Sequence, residues 1–464
     1  MTRVTLVTRL VETIAGLIER GLLKPGERLL SVRAGALEHG VSKNTMAEAY
    51  DRLVALGHLE ARQGAGYYVA RLRRPSAERR PSHLAEAVDF VSLLREQLVQ
   101  SYAVRIGDGR PPPSWMERFD IGGPRPAARP ARGTDPDHGY GNPWGFHPLR
   151  ERIALTLGER SIKASPEQIL LTQGANHALD LVARQLLEPG DAVLVDSPGY
   201  YPLFAKLKLA RVEPVGVRRL ADGPDLDDLA AKAAALRPKL FFTQPLAHNP
   251  TGGSITPSVA HRLLQIAGQW GFRIVEDDPF ADILPAASPR LAALDQLDRV
   301  IYVGTFSKTL SANLRVGYVA ARPALTAALC DLKMLTIVST SDYVERIVYG
   351  VIANGQYLRH LRRLKGRVEA ATEAAVAGLG AAGVRITVPP AGGYYLWGEL
   401  PPGVDAVALA RKAAGKGIFL APGSLFTPDR SALPPALRIN VAYAGDPRFL
   451  AFLEEALDPR AATS

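Results

Sequence analysis

The chain has 464 residues, 47% hydrophobic and 22% charged, with a mean hydropathy of −0.01 and a net charge of +10. At roughly 100–200 residues per domain this length predicts two to four domains, and the composition excludes disordered, collagen-like and coiled-coil chains. No apolar run approaches the roughly 18 residues of a membrane helix. Arg3, Arg9 and Glu12 leave no signal-peptide core. The single cysteine, Cys330, excludes an internal disulfide and a multi-cysteine metal site. A cytoplasmic protein with no membrane segment and no metal is expected. The charge is unevenly placed: residues 1–82 hold 14 Lys and Arg against 8 Asp and Glu, whereas residues 83–464 hold 42 against 38. A basic head of this kind on a nearly neutral body suggests a polyanion-binding module.

In chain order, Leu6, Leu10, Ile14, Leu17 and Ile18 form an apolar stripe at three- and four-residue steps, which predicts a first helix ending at Gly21. Pro25-Gly26 makes the turn. Ser31 is placed to cap a short second helix carrying Ala34 and Leu37, closed by Gly40. Ser42 is placed to cap a third, with Met46, Tyr50, Leu53 and Leu56 on one face and Gly57 as its stop. Two helices joined by so short a turn fit helix-turn-helix geometry. Leu59–Arg62 and Tyr67–Ala70, separated by Gln63-Gly64-Ala65-Gly66, predict a β-hairpin.

The stretches ERLLSVRAGALEHGVSKNTMAEAYDRLVALGHLE and RQGAGYYV resemble the winged helix of GntR-type transcription regulators. The resemblance implies that Arg33, then Lys43, Asn44 and Thr45 at the start of the recognition helix, contact double-stranded DNA, with Gly64 of the wing near the minor groove. The chemistry is apt, because capped helix ends and cations bind phosphates and Asn can read an adenine edge bidentately. Leu30 stands where the family usually has proline.

Residues 71–82, with five arginines and two prolines, read as a basic linker. A helix is predicted from His83 to about Val104, with Val88, Val91, Leu94 and Leu98 on one face, broken by GRPPPSW. Beyond residue 140, apolar strands alternate with helices: Ile169–Leu171, Ala192–Val195, Leu240–Thr243, Arg273–Glu276, Val300–Val303 and Arg315–Val319. That alternation predicts an α/β architecture with a mainly parallel sheet, whose ligands gather at the carboxyl ends of the strands. Those ends read TQGAN, PLAHNPTGG, VEDDPF and GTFSKTLSANLRVGY. Gly174-Ala175-Asn176 opening a helix offers free N–H groups to a phosphate. Lys308 among small hydroxyl residues is an unusual place for a charge.

Together with YGNPWGFHPLRERIA, DSPGYYPLF, AGGYYLWGEL, APGSLF and LRINVAYA, these motifs resemble the fold-type I aminotransferases that use pyridoxal 5′-phosphate. By that resemblance Lys308 takes the cofactor aldehyde as a Schiff base and Asp277 pairs with the pyridine nitrogen, keeping it protonated. Asn249 donates to the ring O3′ and Tyr200 stacks on the ring. Gly174, Ala175, Thr305 and Arg315 bind the phosphate, Tyr140 reaches in from a partner subunit, and Arg438 clamps a substrate carboxylate. Phe280 departs from the family, which commonly has a tyrosine there bonding O3′; the departure bears on turnover more than on cofactor capture.

A winged helix (1–70), linker (71–82) and aminotransferase-like body (83–464) is the arrangement of the MocR/GabR-like regulators. The resemblance implies a homodimeric, DNA-binding regulator that senses an amine, an amino acid or the cofactor itself by aldimine exchange. The alternative is a working aminotransferase that carries a DNA-binding module.

Overall fold

This computed structural model describes residues 6–19, 23, 26–62, 65–70, 90–99, 102–116, 139–429 and 434–457. Gly21, Pro25, Gly64, linker residues 71–82 and Val88 lie outside them. The chain divides into two compact units, residues 1–80 and 81–464.

In the small unit, α1 (Leu6–Glu19), α2 (Val32–Glu38) and α3 (Lys43–Ala55) precede a hairpin of β1 (Leu59–Arg62) and β2 (Gly66–Val69), paired Leu59↔Val69. Ser31 Oγ accepts from Ala34 N–H and Ser42 Oγ from Thr45 N–H, so both predicted caps form. Val7, Leu10 and Ile14 meet Met46, Ala49, Tyr50, Leu53, Leu59 and Val69 in one core. Two stripes differ from expectation. On α1, Val7 replaces Leu6, which is exposed. On α2, Gly35 and Ala36 face the core while Leu37 is 87% exposed. The Met46 and Tyr50 side chains of α3 fill the space over Gly35, where a Cβ would lie 2.9 Å from Met46 Cε.

The large unit is built on an eight-stranded sheet, ordered β3-β10-β9-β8-β7-β4-β5-β6. The strands are β3 (Ile169–Thr172), β4 (Ala192–Ser197), β5 (Glu213–Leu220), β6 (Gly223–Pro224), β7 (Leu240–Thr243), β8 (Arg273–Asp278), β9 (Val300–Thr305) and β10 (Gly317–Ala320). Neighbours from β9 to β5 run parallel; β10 is antiparallel to both β3 and β9. Helices cover both faces, so strand residues alternate between two cores. Phe241 and Ile274 enter one, and Leu240, Phe242 and Val275 the other. This double burial explains why these strands read as continuous apolar runs.

A second sheet, β11 (Arg385–Ile386), β12 (Tyr395–Glu399), β14 (Ala436–Asn440) and β13 (Ala421–Pro422), packs Leu396, Leu437 and Ile439 against the helices Gln356–Ala381 and Pro447–Leu457. The helix predicted from His83, a start that lies outside the described residues, to about Val104 ends at Val99. Val104 bridges to Ile418, and Phe419 N–H donates to its carbonyl at 2.8 Å. Backbone pairing with a distant segment overrides the apolar period, and it leads Gly107 to Gly109 towards the site. No described helix is long and apolar enough to cross a membrane.

Candidate functional site

On the small unit, Arg33, Lys43 and Asn44 are exposed at the starts of α2 and α3, and Thr45 is half-buried with its hydroxyl 2.8 Å from Ser42 Oγ. The wing is braced by Tyr67 OH donating to Asp51 and by Arg62 over the Tyr68 ring. Tyr50 OH donates to the carbonyl of Leu30, fixing the entry to α2 at the position where proline is usual.

On the large unit, the carboxyl ends of β3, β7, β8 and β9 converge. Gly174, at φ 75°, caps the helix Ala175–Leu186. A Cβ there would lie 2.6 Å from Arg315 Nη2, and one on Gly317 would lie 2.8 Å from Ala175 N. The backbone therefore approaches at distances only glycine permits. Arg315 Nη2 donates to Gln173 O at 3.0 Å and its Nη1 to Ser307 Oγ at 3.2 Å. Thr305 Oγ1 donates to Ser307 Oγ and accepts from Ser307 N–H. A helix N-terminus, two hydroxyls and a guanidinium make a cup for a dianion. Gly174, Ala175, Thr305 and Arg315 thus come together, with Ser307 as an unforeseen member.

Asp277, near the end of β8, is buried, with Oδ2 accepting from Gln244 Nε2 and Oδ1 lacking a partner. Burial lifts its carboxyl to about 6, Asp278 pushes the same way, and the Gln244 hydrogen bond and Lys308 oppose the rise. Tyr200 lines the same small cavity as Gln244 and Asp277 and donates to Asn176 Oδ1 at 3.2 Å; burial holds its phenol protonated. Asp278 is occupied elsewhere, binding Arg290 and Tyr302 in the core.

Lys308 follows β9 in a tight turn, half-buried, its Nζ donating to Gly109 O at 2.5 Å. Tyr395 OH donates to the same carbonyl at 2.9 Å. Arg438 on β14 is 2% exposed. Its Nη1 donates to Asn249 Oδ1 at 3.1 Å and its Nη2 to Gly107 O at 2.6 Å, while Nε has no partner. The guanidinium also lies 5.0 Å and 4.9 Å from the ring centres of Tyr395 and Phe426. No carboxylate among the described residues pairs with it. A buried guanidinium without an anion is an arrangement suited to receiving one.

Two family matches divide the chain as the fold does: bacterial regulatory proteins of the gntR family over residues 6–69, and aminotransferase class I and II over residues 101–450. The HTH-type transcriptional regulator YdcR of Escherichia coli is 30% identical, over 90% of this chain and 91% of its own. The probable rhizopine catabolism regulatory protein MocR of Rhizobium meliloti is 31% identical over 77% of this chain and 73% of its own. The chain belongs to the MocR-like regulators. Its large unit also resembles the solved structure of LysN, an α-aminoadipate aminotransferase of Thermus thermophilus complexed with N-(5′-phosphopyridoxyl)-L-leucine, at a TM-score of 0.71 and 28% identity, covering 82% of this chain and 98% of that one. The class is pyridoxal 5′-phosphate-dependent.

In this MocR-like chain Tyr140 is 83% exposed, and the neighbours of Gly141 are Thr340 and Asp342 rather than the Lys308 cluster. Gly109, Gln244, Ser307 and Tyr395 were not legible as site residues. Ser307 lies in the last strand-end motif and Gln244 directly before PLAHNPTGG, and only contacts single them out. Phe280 is fully buried, edge-on to Tyr394 and Tyr395 at 5.0 Å and 5.6 Å. The nearby Tyr394 hydroxyl is committed to Lys308 O. In a Phe280→Tyr variant a phenol donating to O3′ stabilises its anion. The pH midpoint of the bound cofactor's visible band is then expected to fall by about half to one unit, measured by spectral titration.

Proposed function

We propose that this chain is a DNA-binding transcription regulator whose large unit holds pyridoxal 5′-phosphate at Lys308 and senses an amine, an amino acid or the cofactor itself by covalent exchange at that lysine. The residues suit the group: Gly174, Ala175, Thr305 and Arg315 for the phosphate, the free Asp277 Oδ1 for the ring N–H, Tyr200 for the ring face and Asn249 for O3′. Bound there, the cofactor supplies an electrophilic aldehyde on an electron-accepting ring. Two copies of the chain, with Tyr140 of each serving the other's site, make the expected cytoplasmic homodimer. Arg33, Lys43, Asn44 and Thr45, with Gly64 on the wing, are the proposed DNA contacts.

One observation carries the sensing part: Arg438 is buried, and no carboxylate among the described residues answers its charge. An amino acid offers both an amine to displace Lys308 and a carboxylate for Arg438. Fluorescence anisotropy on DNA from the protein's own upstream region, with apo, cofactor-loaded and amine-loaded protein, tests the reading. Equal affinity in all three states across a broad amine panel defeats it. Arg438→Lys keeps the charge and loses the fork. Loss of a buried, hydrogen-bonded charge pair costs about 2–5 kcal/mol, so the half-maximal amino acid concentration should rise on the order of 30-fold or more, whereas a plain amine's should not move.

The second reading, a working aminotransferase, is favoured by Lys308, Asp277 and Arg438 all being present. Brisk amino transfer to 2-oxoglutarate with DNA affinity unmoved by any amine selects it.

A further inference from the structure

Gln244 is buried directly after β7, and its backbone N–H and both side-chain amide atoms are engaged. Its Nε2 donates to Asp277 Oδ2 and its Oε1 accepts the Asn249 N–H at 3.0 Å. Its backbone N–H donates to Asp196 Oδ2 at 3.0 Å, and Asp196 is itself held by Arg219. The partners dictate the orientation of the amide: a backbone N–H only donates and a carboxylate only accepts, so oxygen must face Asn249 and nitrogen Asp277. One side chain thus ties the ends of two motifs, PLAHNP and VEDDPF, that lie about thirty residues apart. It also leaves Oδ1, rather than Oδ2, as the free acceptor of Asp277. Asn249 in turn accepts from Arg438 through its own side chain, so a continuous hydrogen-bonded chain runs Asp277, Gln244, Asn249, Arg438.

We infer that Gln244 is a positioning residue for cofactor capture, aiming Asp277 Oδ1 at the ring nitrogen while fixing the backbone that presents Asn249 to O3′. The inference rests on the reading that pyridoxal 5′-phosphate is held at Lys308. Gln244 acts only through its neighbours. Its amide hydrogen bond favours the charged carboxylate, which burial alone disfavours, and a charged Asp277 is what retains the proton on the ring nitrogen. An aliphatic side chain at 244 would fill the space and leave Asp277 free to rotate or take up a proton. Phosphate recognition, at the other end of the site, would be untouched.

The test uses full-length apo-protein, pyridoxal 5′-phosphate as the probe, and the variants Gln244→Leu and Gln244→Glu. Gln244→Leu removes both side-chain bonds. Gln244→Glu keeps shape and the acceptor for Asn249 but replaces the donor to Asp277 with a second carboxyl. Affinity is read by titration, attachment by borohydride reduction and mass mapping of Lys308, and ring protonation by nitrogen NMR of cofactor labelled at the ring nitrogen. Wild type is expected to show the pyridinium signal at neutral pH. Both variants are expected to bind about 10- to 100-fold more weakly, the equivalent of one hydrogen bond to a charged group, with the signal moved towards neutral pyridine. Folding is checked by circular dichroism, and where Gln244→Leu fails to fold the isosteric Gln244→Glu decides. Affinity within about threefold of wild type together with an unmoved pyridinium signal overturns the inference. A wild-type chain with no Lys308 adduct overturns the cofactor reading itself, and the inference with it.

Discussion

Lys308→Ala is expected to abolish the covalent cofactor: no yellow band survives dialysis, and borohydride leaves no adduct. Attachment needs a primary amine at the end of β9, between the phosphate cup and Asp277. Among the described residues the one fully buried lysine of this unit, Lys333, is spent on Pro143 O, Leu171 O and Thr340 Oγ1. The cup and Asp277 remain in the variant, so weak non-covalent binding should persist. Basal DNA affinity should be almost unchanged, since Arg33, Lys43 and Asn44 belong to the other compact unit. The response to amines should disappear. A ligand shifts an equilibrium only by its differential affinity for two states, and without Lys308 an amine has nothing to displace. Coupling of this kind is typically about 1–3 kcal/mol, or roughly 5- to 150-fold in affinity. Anisotropy with wild type and variant side by side reads it. A variant that keeps both colour and amine response removes Lys308 from the mechanism.

DNA affinity should collapse with salt. Each phosphate neutralised by Lys or Arg releases counterions, giving a slope of about −0.9 per contact in log affinity against log salt. A protein making about 6–10 such contacts loses roughly a thousandfold or more between 50 and 200 mM salt. Arg33→Ala and Lys43→Ala should weaken binding to every sequence and lower the slope by about one per contact removed. Asn44 lies on the first turn of α3, exposed beside the Ser42 cap. Asn44→Ala should therefore relax discrimination at one base pair by about 1–3 kcal/mol while leaving the slope intact. Anisotropy titrations on matched and mutated operators separate these outcomes; salt-independent binding contradicts the assignment.

The winged helix and the sheet were legible because local chemistry dictates them. Ser31 and Ser42 precede helical periods and do cap them. The doubly buried strands must be apolar on both faces, so they stand out from their surroundings. What the pattern could not convey was α2's orientation: Leu37 is the larger apolar residue, yet Gly35 faces α3, where the Met46 and Tyr50 side chains already fill the space. Strand β5, with Arg218 and Arg219 interrupting its apolar residues, was missed for the related reason that its charges are answered by Asp225 seven residues on and by Asp196 on the neighbouring strand.

At the site the same division holds. Lys308 stands out along the chain as a charge after a buried strand, and the aminotransferase resemblance that the strand-end motifs carry is what named Asp277, Asn249, Thr305 and Arg315. Only tertiary structure decided that Gly109, from a segment predicted to lie beyond a helix, holds Lys308 Nζ. It alone paired Gln244 with Asp277 and left Oδ1 free. The reason is physical: periodicity and capping are local and written in neighbouring residues. A carbonyl brought in by backbone pairing between Val104 and Ile418, or an amide shared by two strand ends, carries no mark in its own sequence and exists only once the distant partner has folded against it.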